Sequence, residues 1–139
     1  MKRRGIRPVR QQKDYDCGLA CLAMYLDLPY GDVIWTARNH FDRIPPTKRG
    51  FVMRHVLELA ETLDRPLVPI YRGTDYLAGR TGILGVVGGP KMNWAGHWIV
   101  LKDGHTVIDP DDEHSVWSLT DYLRRWKCRT GCVLVAEDG

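Results

Sequence analysis

The apolar residues of this chain change their spacing at Pro66. Before it, Leu19, Leu22, Ala23 and Leu26 recur at three- and four-residue steps, the spacing of one helix face. Phe51, Val52, Val56, Leu59, Ala60 and Leu63 do the same within a helix expected over residues 48–63. Beyond Pro66 the runs are strand-like. Residues 67–71 carry an internal Pro69, which suits an edge strand. Residues 82–87 are continuously apolar, as in a strand buried on both faces. Helices first, then strands joined by hairpins, define an α+β domain with N-terminal helices packed on one side of an antiparallel β-sheet. A length of 139 residues suits one such domain, expected over residues 11–139.

The first helix is expected to start at or just before Cys17, capped by Asp14 or Asp16, and to stop before Pro29. A thiol in a first helical turn meets unpaired backbone N–H groups and the positive end of the helix dipole, which favour its nucleophilic thiolate form. The same spacing also fits a small core residue, so Cys17 alone decides nothing. A short helix from Gly31 to about Arg38, capped by Asp32, and a loop over residues 41–46 follow. His55, within the third helix, reads as a surface or interhelical residue.

A hairpin adds the second reactive group. Residues 96–101 and 105–110 are strand-like and flank the turn signal Lys102-Asp103-Gly104. A two-residue Asp-Gly turn would set His97 opposite Pro110. A three-residue loop with Gly104 left-handed pairs Leu101 with His105 and sets His97 opposite Asp109. The second register provides the imidazole with a carboxylate able to orient and stabilise it. It also puts Ile99, Leu101 and Val107 on the same face, which the Cys17 helix is expected to cover. Residues 88–95 form a loop before His97, with Gly88-Gly89 read as a turn. Trp94, Gly96 and Trp98 are candidates for the rim of a substrate site. A helix over residues 118–126, capped by Ser118 or Thr120, and a final strand over residues 132–136 complete the chain.

Gln11, the run Asp16-Cys17-Gly18 at a helix start, His97 at the head of a strand and Ile108-Asp109-Pro110 together resemble the bacteriocin-processing peptidases. These are papain-like cysteine peptidases that cut leader peptides after a double glycine, usually as the N-terminal domain of an export ABC transporter. The resemblance extends over residues 6–136, and the glutamine stands six residues before the cysteine as in that family. It implies a papain-like fold, with Cys17 as nucleophile, His97 as general base and acid, Asp109 as its orienter and Gln11 as the oxyanion-hole side chain. It implies a peptide or protein substrate, no cofactor and no metal. With no transporter sequence following, a stand-alone peptidase serving a separate export or maturation system is expected. Residues 30–89 carry none of the family's motifs. Two other readings use the same residues: a papain-like amidase acting on peptidoglycan peptides, and a non-catalytic peptide-binding domain.

Composition excludes several classes. Apolar residues make up 44% and charged residues 27%, ordinary values for a soluble globular protein. No run has a membrane span's length, and no signal-peptide segment follows the basic start, so a cytoplasmic protein is expected. Residues 1–10 form a basic arm, read as a solvated and partly ordered tail. No aromatic residue interleaves with its charges, and a net charge of +3 is too small to argue for nucleic acid. Cys17, Cys21, Cys128 and Cys132 could be written as a four-thiolate zinc site. The first pair, however, sits on an apolar helix rather than in a glycine-rich knuckle. Cys21 reads as core, and Cys128 and Cys132 as free thiols beside a turn.

Overall fold

In order, the chain forms α1 (Cys17–Leu26), α2 (Tyr30–His40), α3 (Met53–Thr62), β1 (Leu67–Ile70), β2 (Gly82–Val87), β3 (Gly96–Lys102), β4 (Thr106–Ile108), β5 (Val116–Ser118), α4 (Leu119–Trp126) and β6 (Arg129–Ala136). These assignments come from a computed structural model that describes residues 6–13, 15–48, 50–71, 75–89, 96–111 and 115–137. The strands make one antiparallel sheet in the order β1-β6-β2-β3-β4-β5. The expected α+β class holds, with Pro69 on an edge strand and β2 central.

Alternation along the strands builds two cores, since successive side chains leave opposite faces. Ile83, Trp98, Val100, Ile108 and Leu134 face the first three helices, where they meet Leu19, Leu22, Val56 and Leu59. Leu84, Val86, Ile99, Leu101, Val107 and Val133 face the other way, onto Tyr122 of α4. Helices therefore cover both faces, not one. The expectation that the Cys17 helix covers Ile99, Leu101 and Val107 is also corrected. α1 packs on the opposite face, and α4 buries those three residues.

The β3–β4 hairpin differs from its expected register. Its three-residue loop is Asp103-Gly104-His105, closed by Lys102 and Thr106, with Leu101 opposite Val107. Both Asp103 (φ 53°) and Gly104 (φ 78°) are left-handed, so the turn consumes two residues of that kind and starts one position later. The loop is tied at both ends to its neighbours: Gly104 N–H donates to Arg80 O (2.7 Å) and Leu119 N–H to His105 O (2.7 Å). The register shift is two residues along the partner strand, so facing parity survives. His97 and Asp109 meet diagonally instead of directly.

Smaller corrections have local causes. α3 begins at Met53, not residue 48, because Gly50 (φ 91°) turns the chain against the Tyr15 carbonyl. α2 starts from Pro29 and runs to His40, with Asp32 in its first turn instead of capping it. His55 is buried, and its Nδ1 accepts the Val52 N–H (3.2 Å) at the start of α3. β5 has only three residues, too few for a readable period, and was not expected. β6 begins at Arg129, three residues early, through a bulge opposite Gly85 and Val86. Ile6 and Val9 pack on the helical core without forming a strand.

Gly82 opens β2 against β6, where no room is left for a side chain. A Cβ there would press on the Leu134 carbonyl and lie 2.9 Å from a Val133 methyl. Gly82→Ala is therefore expected to destabilise the fold by about 1–3 kcal/mol, as overpacking does. The urea midpoint should fall at unchanged m-value; an unshifted midpoint would contradict the packing of this strand pair.

Candidate active site

Cys17 is the first residue of α1, at the end of the sheet where β2, β3 and β6 pass the helical layer. Gly18 explains the close approach. A Cβ there would lie 3.3 Å from Val56 and 3.4 Å from Phe51 and Trp98, so glycine lets the helix start settle against α3 and the Trp98 ring. Asp16 is the N-cap residue, but its side chain makes no capping hydrogen bond. Its carboxylate turns away and accepts from Lys13 N–H (3.2 Å) and Tyr30 O–H (3.1 Å). Burial raises the Asp16 pKa, with those two donors working against the rise. The expected cap is thus replaced by a tie to α2, and no side chain from Asp16 covers the first-turn N–H groups of α1. Asp14, the other candidate cap, lies outside the described residues.

His97 stands near the start of β3 with its side chain 11% exposed. Its Nε2 donates to Asp109 Oδ1 at 2.8 Å. That choice of nitrogen leaves Nδ1 for the Cys17 thiol, which lines the same cleft. Burial on its own would lower the His97 pKa. The hydrogen bonds and charges of Asp109 and Cys17 reverse this and hold it well above the ordinary imidazole range. Asp109 shows the complementary balance. Burial pushes it up, but the His97 hydrogen bond and charge, the Asp111 N–H and the Tyr122 O–H hold it below the ordinary carboxylate range.

Asp109 is fully buried and multiply held. Oδ1 accepts from His97 and from the Asp111 N–H (2.9 Å), and Oδ2 accepts from the Tyr122 O–H (2.7 Å). Its own N–H donates to Ser115 O at 2.7 Å, which continues the β4–β5 pairing past Ile108. Gln11 is placed by its N–H, which donates to Pro110 O (2.9 Å), next to the Asp109 turn. Its Nε2 donates to Lys13 O at 2.7 Å, and its buried Oε1 has no partner among the described residues. Gln11 does not line the cleft that Cys17 and His97 share.

That cleft holds about 220 Å³. Phe51, Val52 and Met53 form one wall, and Gly85–Val87, Gly131 and Cys132 the other, with Gly96, His97 and Trp98 at its back. Of the rim candidates, Gly96 and Trp98 do line it, while Trp94 lies outside the described residues. Trp98 is nearly buried, and its Nε1 donates to Phe51 O (2.7 Å), holding the wall before α3. The Phe51–Met53 wall and Tyr122 were not anticipated. Both enter from distant chain segments, and neither carries a local signal beyond an apolar helix position. Cys21 is fully buried one turn behind Cys17, and burial holds its thiol well above the usual range. Cys132 faces the cleft from β6 and is likewise pushed up by burial. No group of three or more metal-ligating side chains occurs among the described residues.

The fold is shared with solved peptidase domains. The peptidase domain of Streptococcus ComA, a bi-functional ABC transporter involved in quorum sensing, matches with a TM-score of 0.67 and 19% identity, over 96% of this chain and 100% of that one. A double glycine motif protease from an AMS/PCAT transporter, solved in complex with the leader peptide, matches at 0.62 and 19%, over 94% and 90%. The Streptococcus mutans ComA peptidase domain, bound to a small-molecule inhibitor, matches at 0.62 and 18%, over 92% and 96%. No protein-family model matches the sequence, and neither does any curated protein. No helix among the described residues is long and apolar enough to cross a membrane.

Proposed function

We propose that this chain is a cysteine peptidase that hydrolyses a peptide bond following a small residue, of the double-glycine leader kind. The observation that carries the reading is that Cys17 and His97 line one cleft, with the imidazole hydrogen-bonded to buried Asp109 behind it. His97 Nδ1 takes the thiol proton before attack, and Cys17 Sγ then adds as a thiolate to the substrate carbonyl carbon. The C–N bond breaks, His97 returns that proton to the leaving amine, and a thioester remains on Cys17. Water then attacks the thioester, giving a proton to His97; the C–S bond breaks and the thiol is restored. Asp109 keeps the imidazole in the tautomer and orientation both halves need.

The oxyanion is held by the backbone N–H of Cys17, left uncapped by Asp16, and Gln11 supplies a second donor once its amide, bonded to Lys13 O, turns toward the cleft. Each donor contributes on the order of 3 kcal/mol to the transition state. Gly85, Gly96 and Gly131 line the cleft without side chains and leave room for a substrate backbone to lie close to the sheet. One of the matched structures has a leader peptide bound, which supports a peptide substrate.

The test is incubation with synthetic peptides carrying a Gly-Gly site, followed by mass analysis. Cleavage after the second glycine, blocked by a cysteine-selective epoxide, is expected. Cleavage of peptidoglycan stem peptides alone would make the protein an amidase. Saturable peptide binding with no cleavage would make it a binding domain.

A further inference from the structure

Tyr122 lies on α4, across the sheet from the helix that carries Cys17. It is fully buried, and its hydroxyl donates to Asp109 Oδ2 at 2.7 Å. The Trp117 ring meets it edge-on with centroids 6.2 Å apart, which holds the phenol in place. The carboxylate therefore has two sides. Oδ1 faces the imidazole and the Asp111 N–H, and Oδ2 is directed into the α4 layer. A buried anion is costly to leave short of donors, and a charge-assisted hydrogen bond from a phenol is a strong one.

We propose that Tyr122 is a positioning residue of the site: it keeps Asp109 ionised and its plane turned so that Oδ1 meets His97 Nε2. The proposal rests on the peptidase reading for its consequence in turnover, but its geometric part concerns only Asp109, His97 and Cys17. The titratable groups gathered around Asp109 are His97 from β3, Cys17 and Cys21 from α1, and Tyr122 from α4. Losing the phenol removes a donor that stabilises the Asp109 anion, so burial is less opposed and the carboxylate protonates at higher pH. With Asp109 neutral, His97 holds its proton less well, and alkylation of Cys17 slows earlier on acidification.

Two readouts test this on the full chain. The first is the rate of Cys17 alkylation by iodoacetamide against pH, which needs no substrate. Tyr122→Phe should move the acidic fall of that profile to higher pH, and replacement by 3,5-difluorotyrosine, a stronger donor of the same shape, should move it lower. The second is turnover: kcat should fall roughly 10- to 100-fold with KM unchanged, the range expected for losing a hydrogen bond to a buried charged group. In an Asp109→Asn background, Tyr122→Phe should add little, because both act through the same contact. A shifted alkylation profile without any peptide cleavage would uphold the positioning role while removing the peptidase reading. A folded Tyr122→Phe protein, or the difluorotyrosine protein should Tyr122→Phe not fold, with the wild-type alkylation profile would overturn the positioning role.

Discussion

Cys17→Ala is expected to abolish peptide cleavage, lowering kcat/KM by about 10⁴- to 10⁶-fold, the cost of removing the nucleophile from a site whose parts act together. The fold should survive. Cys17 is half-buried at the first turn of α1, and the helix is held by Leu19, Leu22 and Ala23, which are buried in the core. Its neighbour Cys21 provides the contrast. That side chain is fully buried, so Cys21→Ala should lower the melting temperature yet leave cleavage within a few-fold of wild type. Brief labelling with limiting iodoacetamide should mark Cys17 before the other three thiols. Burial shields Cys21 and raises its pKa, and burial raises that of Cys132. First labelling at Cys128 or Cys132 would place the reactive thiol elsewhere and sink the assignment.

Asp109→Asn should reduce kcat by about 10⁴-fold with little change in KM, because an amide presents the wrong hydrogen-bonding pattern to His97 Nε2 and misdirects the tautomer. The same change has a stability signature. Asp109 is held below its ordinary pKa, so its contribution is present above the unfolded carboxylate value and is lost as pH falls through the folded one. His97 is held above its ordinary pKa, so its contribution is present below the unfolded imidazole value and is lost as pH rises through the folded one. Wild-type stability should therefore peak between these two limits and decline on both sides. In Asp109→Asn both declines should flatten. Urea midpoints measured across the pH range will show this; a variant with the wild-type curve would mean that the His97–Asp109 contact does not set the two ionisation states.

The helical spacing at Leu19, Leu22 and Ala23 and the apolar run of β2 are local patterns, and each forms the element it implies. Facing parity is local as well. Side chains alternate with period two, and any three-residue loop here keeps His97 and Asp109 on one face, so their meeting survived a register shift. The proximity of Asp16-Cys17-Gly18 to a helix start was legible for the same reason. Choices between two equivalent faces or partners were not. Whether α1 or α4 covers Ile99 and Leu101 depends on contacts between segments far apart in sequence, and both faces of the hairpin are apolar enough to accept a helix. Asp16 could cap α1 by its own geometry, but Tyr30, fourteen residues on, recruits its carboxylate instead. Tyr122 reads in sequence as one more apolar helix position. Only the packing of α4 under β4 brings its hydroxyl to Asp109, and only the meeting of the Phe51–Met53 segment with β2 and β6 makes the cleft. Period and turn chemistry act over a few residues and can be read directly; the partner of a buried polar group is settled by whichever distant donor the folded core places within about 3 Å.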